Sequence, residues 1–263
     1  MDYFQAQRLA SQQKVPVEII EKDFLIEILL FYLGKESFFK ERFIFRGGTA
    51  IKKVYFTDYR FSEDIDFLLM EDQRFEICTK KYSEITEKIN DDHPYGLNIS
   101  LGESSQERLQ LFIFYDIIPE IRSTKSLKVD ISKDDVIPSY HRRKILFSYQ
   151  QFKSGNVEVY AYDLESIASD KICRILDVDN EPRDLYDLWY LLKLRINAAK
   201  IKREFRKRIG FDFRVPSLLR EIKREEFKRN WEKRLRNQIA NLPSYENVIK
   251  ELERLIAEKF IRR

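Results

Sequence analysis

The sequence predicts a mixed α/β (α+β) fold, in which a mixed sheet with flanking helices is followed by a helical C-terminal half. Residues 43–70 contain, in order, a buried strand, a Gly-Gly turn, a helical segment and a second strand. Further strand-like runs extend to residue 132, whereas apolar residues recur at intervals of three and four beyond residue 164. We therefore expect two domains, residues 1–160 with the sheet and an N-terminal helix, and residues 161–263 with helices.

Composition indicates a folded protein of a reducing cytoplasm. The 263 residues are 43% hydrophobic and 14% aromatic, which is typical of globular domains and excludes a disordered chain. Cys78 and Cys173 have neither the spacing of metal ligands nor that of a disulfide framework. The N-terminus lacks a signal-peptide pattern, and the longest apolar run, residues 24–33, is interrupted by Glu27 and is too short to span a bilayer. We expect no membrane partner.

The charges are distributed unevenly along the chain. Residues 200–263 contain 20 Lys and Arg against 10 Asp and Glu, so that of the total 48 and 44, 28 and 34 remain in residues 1–199. An acidic half that could collect a metal, joined to a basic half that could hold a polyanion, fits a nucleic-acid substrate. The alternative is that a charged, helical tail simply has a solvated face.

The first elements follow from periodicity. Residues 1–16 are polar with weak periodicity, whereas a helix is expected from Val17 because Ile19, Ile20, Phe24, Ile28 and Phe31 recur at helical spacing. Within it, residues 21–23 (Glu-Lys-Asp) are expected to be structural. Residues 43–45 predict a buried strand that leads into the Gly-Gly turn.

The later elements are read in the same way. We expect a helix at 75–89, a hairpin from strands at 97–101 and 109–118, a strand at 127–132, a mixed basic stretch at 136–150, helices within 164–194, and amphipathic helices beyond residue 200. Ser244 is expected to cap a last helix that ends at Phe260.

Two aspartates on one strand point to metal chemistry. Side chains alternate along a strand, so Asp64 and Asp66 share one face while Ile65 and Phe67 face a core. Neighbouring carboxylates repel each other unless a cation lies between them, and Mg²⁺ is the hard cation that suits carboxylate and phosphate oxygens.

The Gly-Gly turn precedes these aspartates and a helical segment. In Gly47, Gly48 and Thr49, backbone N–H groups at a helix start would face a phosphate. A phosphate-binding turn, a short helix and two metal-binding aspartates together suggest nucleotidyl transfer.

The same stretch carries a family resemblance. A Gly-Gly-Thr turn, a helix and the pattern Arg-x-Ser-x-Asp-x-Asp, residues 60–66, resemble the AbiEii/AbiGii-type nucleotidyltransferases, which include type IV toxins and the MenT toxins within the DNA polymerase β-like superfamily. The resemblance implies a nucleotidyltransferase fold and a transferase activity that uses an NTP substrate.

A second region also resembles this family. It comprises Lys171 and the Arg183-Asp184-x-x-Asp187-Leu188 pattern. The resemblance implies that Lys171 contacts the triphosphate and that Asp184 orients it or the attacking group, in a cleft completed by the helical domain. Asp187 shares the helix face of Asp184 and receives no firm role. The alternative is a helix-start cap by Asp184 beside a surface lysine.

A third acidic residue lies on the strand predicted at 127–132. Asp130 and Lys128 face one way there, and Val129 and Ile131 face the other. We expect Asp130 to be the third metal ligand, a position that the family motif also has. The alternative is a strand-end aspartate bonded to its own loop.

These assignments define an expected mechanism. Asp64, Asp66 and Asp130 would hold two Mg²⁺ ions, and the turn, with Ser62, would position the triphosphate. Lys171 and Arg46 would neutralise the leaving pyrophosphate, although Arg46 could equally form a buried ion pair. Such chemistry depends on positioning and needs no histidine, and neither His93 nor His141 has partner spacing.

The resemblance also bears on substrates and partners. It implies a toxin that adds nucleotides to RNA, at the 3′ end of tRNA, and that is paired with an antitoxin. One alternative keeps the chemistry with a small-molecule acceptor, as in antibiotic-modifying nucleotidyltransferases. Another is a non-catalytic NTP-binding interaction module. A metal-dependent nuclease ranks last because the Gly-Gly turn would have no task in it.

Overall fold

The computed structural model describes residues 1–70, 73–177 and 181–261. They fall into two compact units, one of residues 1–137 and 141–161 and the other of residues 138–140 and 162 onward. The sheet belongs to the first unit, apart from one end residue each of two strands, and the second unit is helical. The mixed sheet with flanking helices and the helical C-terminal half predicted from the sequence are confirmed.

The first unit contains five helices, a π-helix and seven strands within the described residues. The helices are α1 Tyr3–Gln13, α2 Val17–Leu33, α3 Ser37–Arg42, α4 Gly47–Ala50 and α5 Phe75–Asp92, and the π-helix Ile51–Tyr55 directly follows α4. The strands are β1 Phe43–Arg46, β2 Asp64–Leu69, β3 Asn98–Ser104, β4 Arg108–Phe114, β5 Ser126–Ser132, β6 Tyr140–Lys144 and β7 Glu158–Tyr162.

The strands of the described residues form one sheet in the order β3-β4-β5-β2-β1-β7-β6. Strand β2 pairs antiparallel with β1 and parallel with β5, and β5 pairs antiparallel with β4. The central strands are mostly buried, whereas the edge strands β3 and β6 are polar and exposed. This topology places the strand with Asp64 and Asp66 in the middle of the sheet.

One face of the central strands packs through aromatic rings. The ring centroid of Phe67 on β2 lies 5.6 Å from that of Phe43 and 5.3 Å from that of Phe45, both on β1. All three side chains are buried. Because strand side chains alternate, burial of Phe67 and Ile65 on this face turns Asp64 and Asp66 to the opposite face.

Helix α2 is buried along most of its length and carries acidic residues into the core. Glu21 accepts hydrogen bonds from the Ile118 backbone N–H at 2.7 Å and from Lys125 Nζ at 3.0 Å. Asp23 and Glu27 both pair with Lys53 of the π-helix, at 2.8 and 2.7 Å. Buried charges are tolerated when they are paired and hydrogen-bonded, as these are.

Helix α1 lies in the stretch where the sequence shows only weak periodicity. Its buried residues, Ala6 and Ala10, are small, so no large apolar stripe marks the helix in the sequence. A capping box stabilises its start: Asp2 accepts from the Gln5 backbone N–H, and the Gln5 side chain accepts from the Asp2 backbone N–H.

The second unit consists of helices α6 Leu164–Leu176, α7 Pro182–Lys193, α8 Ala198–Ile209, α9 Val215–Glu221, α10 Glu225–Leu235 and α11 Tyr245–Phe260 in its described part. Residues 178–180 of the predicted helical region lie outside the described residues. The Ser244 side chain accepts from the Asn247 backbone N–H and caps α11, as predicted. In the described parts of the chain, no helix is long and apolar enough to cross a bilayer.

Candidate active site

Gly47, Gly48 and Thr49 form the turn from β1 into α4. Gly47 has a φ of +77°, a left-handed conformation that side chains rarely adopt. A Cβ at this position would also collide with Asp66 Oδ2. The turn and the second aspartate of the predicted pair therefore lie in direct contact, which only glycine permits.

Asp64 and Asp66 lie on β2 with half-buried side chains on one face of the strand. Two residues of the predicted motif support Asp64. The Thr49 hydroxyl donates to the Asp64 carbonyl oxygen, and the Ser62 hydroxyl donates to Asp64 Oδ1 at 3.3 Å. Thr49 and Ser62 are buried, so these contacts join the turn and the approach to β2 to the first aspartate.

Strand register brings Asp130 beside this pair. Asp66 on β2 and Asp130 on β5 are direct Cα partners, and Arg46 on β1 is the Cα partner of Asp66 on its other side. Direct partners point to the same side of a sheet. The structure thus brings together Arg46, the turn, Ser62 and all three aspartates of the sequence prediction in one unit.

The carboxylate of Asp130 is held by donors on neighbouring residues. Oδ1 accepts from Arg108 Nη2 and from Gln110 Nε2, each at 3.0 Å, and Oδ2 pairs with Lys128 Nζ at 2.6 Å. Burial acts to raise the pKa of Asp130, but the hydrogen bonds from Lys128 and Gln110 and the nearby positive charges outweigh it and lower the pKa. Asp130 is therefore a stabilised anion.

The side chains present fit a divalent cation only in part. Asp64 and Asp66 are hard oxygen donors on one face, and Mg²⁺ in nucleotide sites is usually bound by one or two carboxylates together with substrate phosphates. No group of three acidic, histidine or cysteine side chains in the described residues has the arrangement of a metal site. Asp64 and Asp66 thus fit Mg²⁺, whereas the contacts of Asp130 are to cations and an amide.

A second cluster lies in the helical unit. Lys171 Nζ on α6 pairs with Asp184 Oδ1 at 2.6 Å and with Asp187 Oδ2 at 2.8 Å, both on α7. Arg174 Nε donates to Asp184 Oδ2 at 2.6 Å. Lys171 is buried, and Glu181, not Asp184, occupies the N-cap position of α7. A helix cap beside a surface lysine therefore does not describe this cluster.

Electrostatics fix the charge state of Asp184. Burial acts to raise its pKa, but the charges of Lys171 and Arg174 more than offset that effect and lower the pKa below its ordinary value. Asp187 is fully buried against the same lysine. The two carboxylates at i and i+3 share one helix face, as predicted, and hold the lysine between them.

Sequence reasoning did not identify Arg108 and Gln110 as neighbours of the aspartates, and it gave Lys128 no role. Lys128 gave a signal because it lies on the same face of one strand as Asp130, whereas Arg108 and Gln110 are brought to Asp130 by the β4–β5 register. Pairing between strands distant in sequence leaves no local pattern. Lys53, Asp23 and Glu27 were likewise missed as one buried cluster.

Comparison with known proteins shows the family of the chain. The profile described as "Nucleotidyl transferase AbiEii toxin, Type IV TA system" matches residues 28–261. A search of curated proteins finds no match.

Two solved structures share the fold. The nucleotidyltransferase toxin MenT4 from Mycobacterium tuberculosis H37Rv is 15% identical, with a TM-score of 0.65 over 97% of this chain and 89% of that one. A candidate nucleotidyltransferase from H. pylori is 16% identical, with a TM-score of 0.55 over 91% of this chain and 93% of that one. The predicted family resemblance and the transferase assignment are confirmed: the chain belongs to the AbiEii family of nucleotidyltransferase toxins of type IV toxin–antitoxin systems.

Proposed function

We propose that this nucleotidyltransferase transfers a nucleoside monophosphate from an NTP to a hydroxyl of RNA, at the 3′ end of tRNA, with Mg²⁺ as cofactor. The observation that carries the proposal is the direct contact of the Gly47 turn with Asp66, because it joins a phosphate-binding element to a metal-binding carboxylate. A cognate antitoxin is the proposed protein partner.

In this proposal, Asp64 and Asp66 would hold the cation. When bound, Mg²⁺ supplies charge neutralisation at the α-phosphate and at the leaving pyrophosphate. The N–H groups of Gly48 and Thr49 would bind the triphosphate, and the Ser62 hydroxyl, which donates to Asp64 Oδ1, would hold that carboxylate in place. The sequence also led us to expect two ions with Asp130 as a further ligand, and no observation tests that expectation.

The second cluster would act on the triphosphate through Lys171. Its ammonium is fixed by Asp184 and Asp187, so its position costs little further ordering when substrate binds. Asp184 would orient the lysine, and Arg46, which is half-buried beside Asp66, would offset the charge of the leaving group. In the same proposal, the domain of residues 1–160 supplies the metal-binding aspartates, and the domain of residues 161–263 supplies Lys171 and Asp184.

The acceptor assignment is supported by charge. The excess of Lys and Arg in residues 200–263 matches a polyanion, and phosphate contacts supply most of the sequence-independent affinity for nucleic acids.

A labelling experiment tests the proposal. Each of the four α-labelled NTPs is incubated with Mg²⁺ and the protein, with and without total tRNA. We expect label on tRNA from wild type and none from Asp64→Ala, whereas Asp91→Ala, which removes an exposed carboxylate at the end of α5, should behave as wild type.

Two outcomes would contradict the proposal at different levels. Label that appears equally without RNA, on the protein or on a small molecule, would reject the RNA acceptor and retain the transfer chemistry. NTP binding without pyrophosphate release, and unaltered in Asp64→Ala, would reject the transferase reaction itself.

A further inference from the structure

Two cations converge on the single carboxylate of Asp130. Arg108 donates through Nε at 3.3 Å and Nη2 at 3.0 Å to Oδ1, and Lys128 Nζ lies 2.6 Å from Oδ2. Gln110 adds a third donor side chain at 3.0 Å. Both oxygens of this carboxylate are therefore engaged by protein donors, and a metal ion would have to share them with these cations.

Asp130 by itself does not balance the two cations, and the next carboxylates, Asp64 and Asp66, lie on the neighbouring strand β2. Arg108 and Lys128 together carry two positive charges, and Asp130 carries one negative charge. The Asp130 side chain is only 7% exposed, whereas the side chains of Arg108 and Lys128 are 53% and 34% exposed. An exposed ion pair adds little stability, so a second partly exposed cation is not explained by neutralising Asp130.

The cations lie beside the proposed metal carboxylates. Lys128 is the direct Cα partner of Asp64, and Asp130 is the direct Cα partner of Asp66. Adjacent strands are about 4.8 Å apart, so the Lys128 backbone lies one strand from Asp64. Arg108 lies on β4, the strand beyond β5, and its guanidinium reaches the carboxylate of Asp130. Its Nη1 takes no part in the pairing with Asp130.

We propose that Arg108 and Lys128 form a phosphate-binding site oriented by Asp130, and that Asp130 is a positioning residue instead of a metal ligand. A guanidinium held by one edge keeps a donor for a phosphate oxygen, and Asp130 fixes both cations before the substrate arrives. The phosphate belongs to the NTP or to the RNA acceptor, and this choice of substrates rests on the proposed function.

The first test measures binding directly. Arg108→Gln and Lys128→Gln are compared with Arg122→Gln and Lys80→Gln, which remove exposed cations elsewhere in the same unit. Isothermal titration uses inorganic tripolyphosphate, an NTP with Mg²⁺, and a short RNA oligonucleotide. We expect each site variant to lose about tenfold or more in affinity for a phosphate ligand, the loss of one charge-assisted contact, with controls unchanged.

The arms of the titration distinguish the source of the phosphate. Weaker binding of tripolyphosphate and NTP assigns the site to the triphosphate, and weaker binding of the oligonucleotide alone assigns it to the acceptor. Unchanged affinity for all three ligands overturns the proposal. Because the replaced side chains are partly exposed, the variants should retain the wild-type thermal unfolding transition.

The second test concerns Asp130. Mn²⁺ binding in the presence of NTP is followed by electron paramagnetic resonance for Asp130→Asn and Asp64→Asn. We expect Asp64→Asn to weaken Mn²⁺ binding by about tenfold or more and Asp130→Asn to leave it within about twofold. An equal loss in both variants overturns the positioning role and makes Asp130 a metal ligand.

Failure of this proposal and failure of the proposed function give different results. If wild type transfers no nucleotide while tripolyphosphate binding still depends on Arg108 and Lys128, the site stands and the reaction is rejected. If wild type labels tRNA while both Gln variants bind all ligands normally, the reaction stands and the site is rejected.

Discussion

At the scale of single residues, Gly47 shows how backbone and side chain restrict one position together. Its φ of +77° disfavours any side chain, and the Asp66 carboxylate occupies the space that a Cβ would need. Gly96 has a φ of +59° but no atom near its Cβ position, so it meets only the first restriction. Comparing Gly47 with Gly96 therefore separates the effect of backbone strain from the effect of the contact with Asp66.

We therefore expect Gly47→Ala to be more damaging than Gly96→Ala. Both changes introduce left-handed strain of about 1–2 kcal/mol, but only the first forces Asp66 to move. If Asp66 holds the metal as proposed, this displacement should lower the rate on the order of 100-fold. Urea unfolding and NTP incorporation measure the two effects, and equal activity in both variants would contradict the prediction.

Asp184 gives a prediction about pH. Its pKa is lowered in the folded state, so its stabilising contribution is present above the unfolded pKa of about 3.9 and is lost as pH falls through the folded value. At neutral pH, Asp184→Asn should reduce the free energy of unfolding by about 3–5 kcal/mol, because the change leaves Arg174 without that carboxylate and Lys171 with Asp187.

The difference between wild type and Asp184→Asn should narrow as pH falls below about 4, because the carboxyl of the unfolded wild type is protonated there, and it should close below the lowered pKa of the folded state. Urea unfolding of both proteins between acid and neutral pH provides the measurement. A difference that stays constant with pH would mean that the lost stability came from packing and not from the charge of Asp184.

At the scale of elements, the π-helix is fixed by a buried charge. Lys53 is almost fully buried and bonds both Asp23 and Glu27 on α2, so it joins the segment after the Gly47 turn to a helix that is buried along most of its length. π-helical segments are rare and are frequently located at functional sites. Here one follows directly on the turn that contacts Asp66.

Replacing this lysine should therefore destabilise the protein strongly. Lys53→Met leaves two carboxylates buried without their cation, and we expect a loss of about 3–5 kcal/mol in the free energy of unfolding. Lys81→Met, which removes a partner of the exposed Glu84, should change it by less than about 0.5 kcal/mol. Chemical denaturation measures the free energy of unfolding of both variants. Equal small losses would show that Lys53 is not needed for stability.

Elements with their own local signal could be predicted from the sequence. Alternation along β2 and β5 predicted which side chains share the face of Asp64, Asp66 and Asp130, and Ser244 predicted the start of α11. Helix α1 was not predicted because its buried residues are alanines. The π-helix was predicted as an ordinary helix because Ile51 and Val54 would be buried in either geometry. The periodicity of apolar residues does not record hydrogen-bond spacing.

In the candidate site too, some features could be predicted from the sequence and others could not. The three aspartates were predicted as site residues because two share one face of a strand and the third shares a strand face with Lys128, which is information within single strands. The contacts of Asp130 with Arg108 and Gln110 depend on which strands are neighbours and in which register. Those are properties of chain segments far apart in sequence, so a single sequence could not give them.

At the scale of the whole molecule, the division of charge predicts salt-sensitive RNA binding. If the basic residues after position 200 hold phosphates, each contact releases counterions. Retention of labelled tRNA by the Asp64→Ala protein should then fall by more than about tenfold between roughly 50 and 200 mM salt. Affinity that does not change with salt would show that these charges are only a solvated face.

The edge strand β6 has a consequence for self-association. It carries His141, Arg142, Arg143 and Lys144 in succession, all exposed. If a second molecule paired its own β6 with this strand, the two rows of cations would repel each other. This repulsion opposes edge-to-edge pairing and fibril-like growth at β6. A strand from another polypeptide could therefore pair with β6 only if it carried acidic side chains opposite these cations.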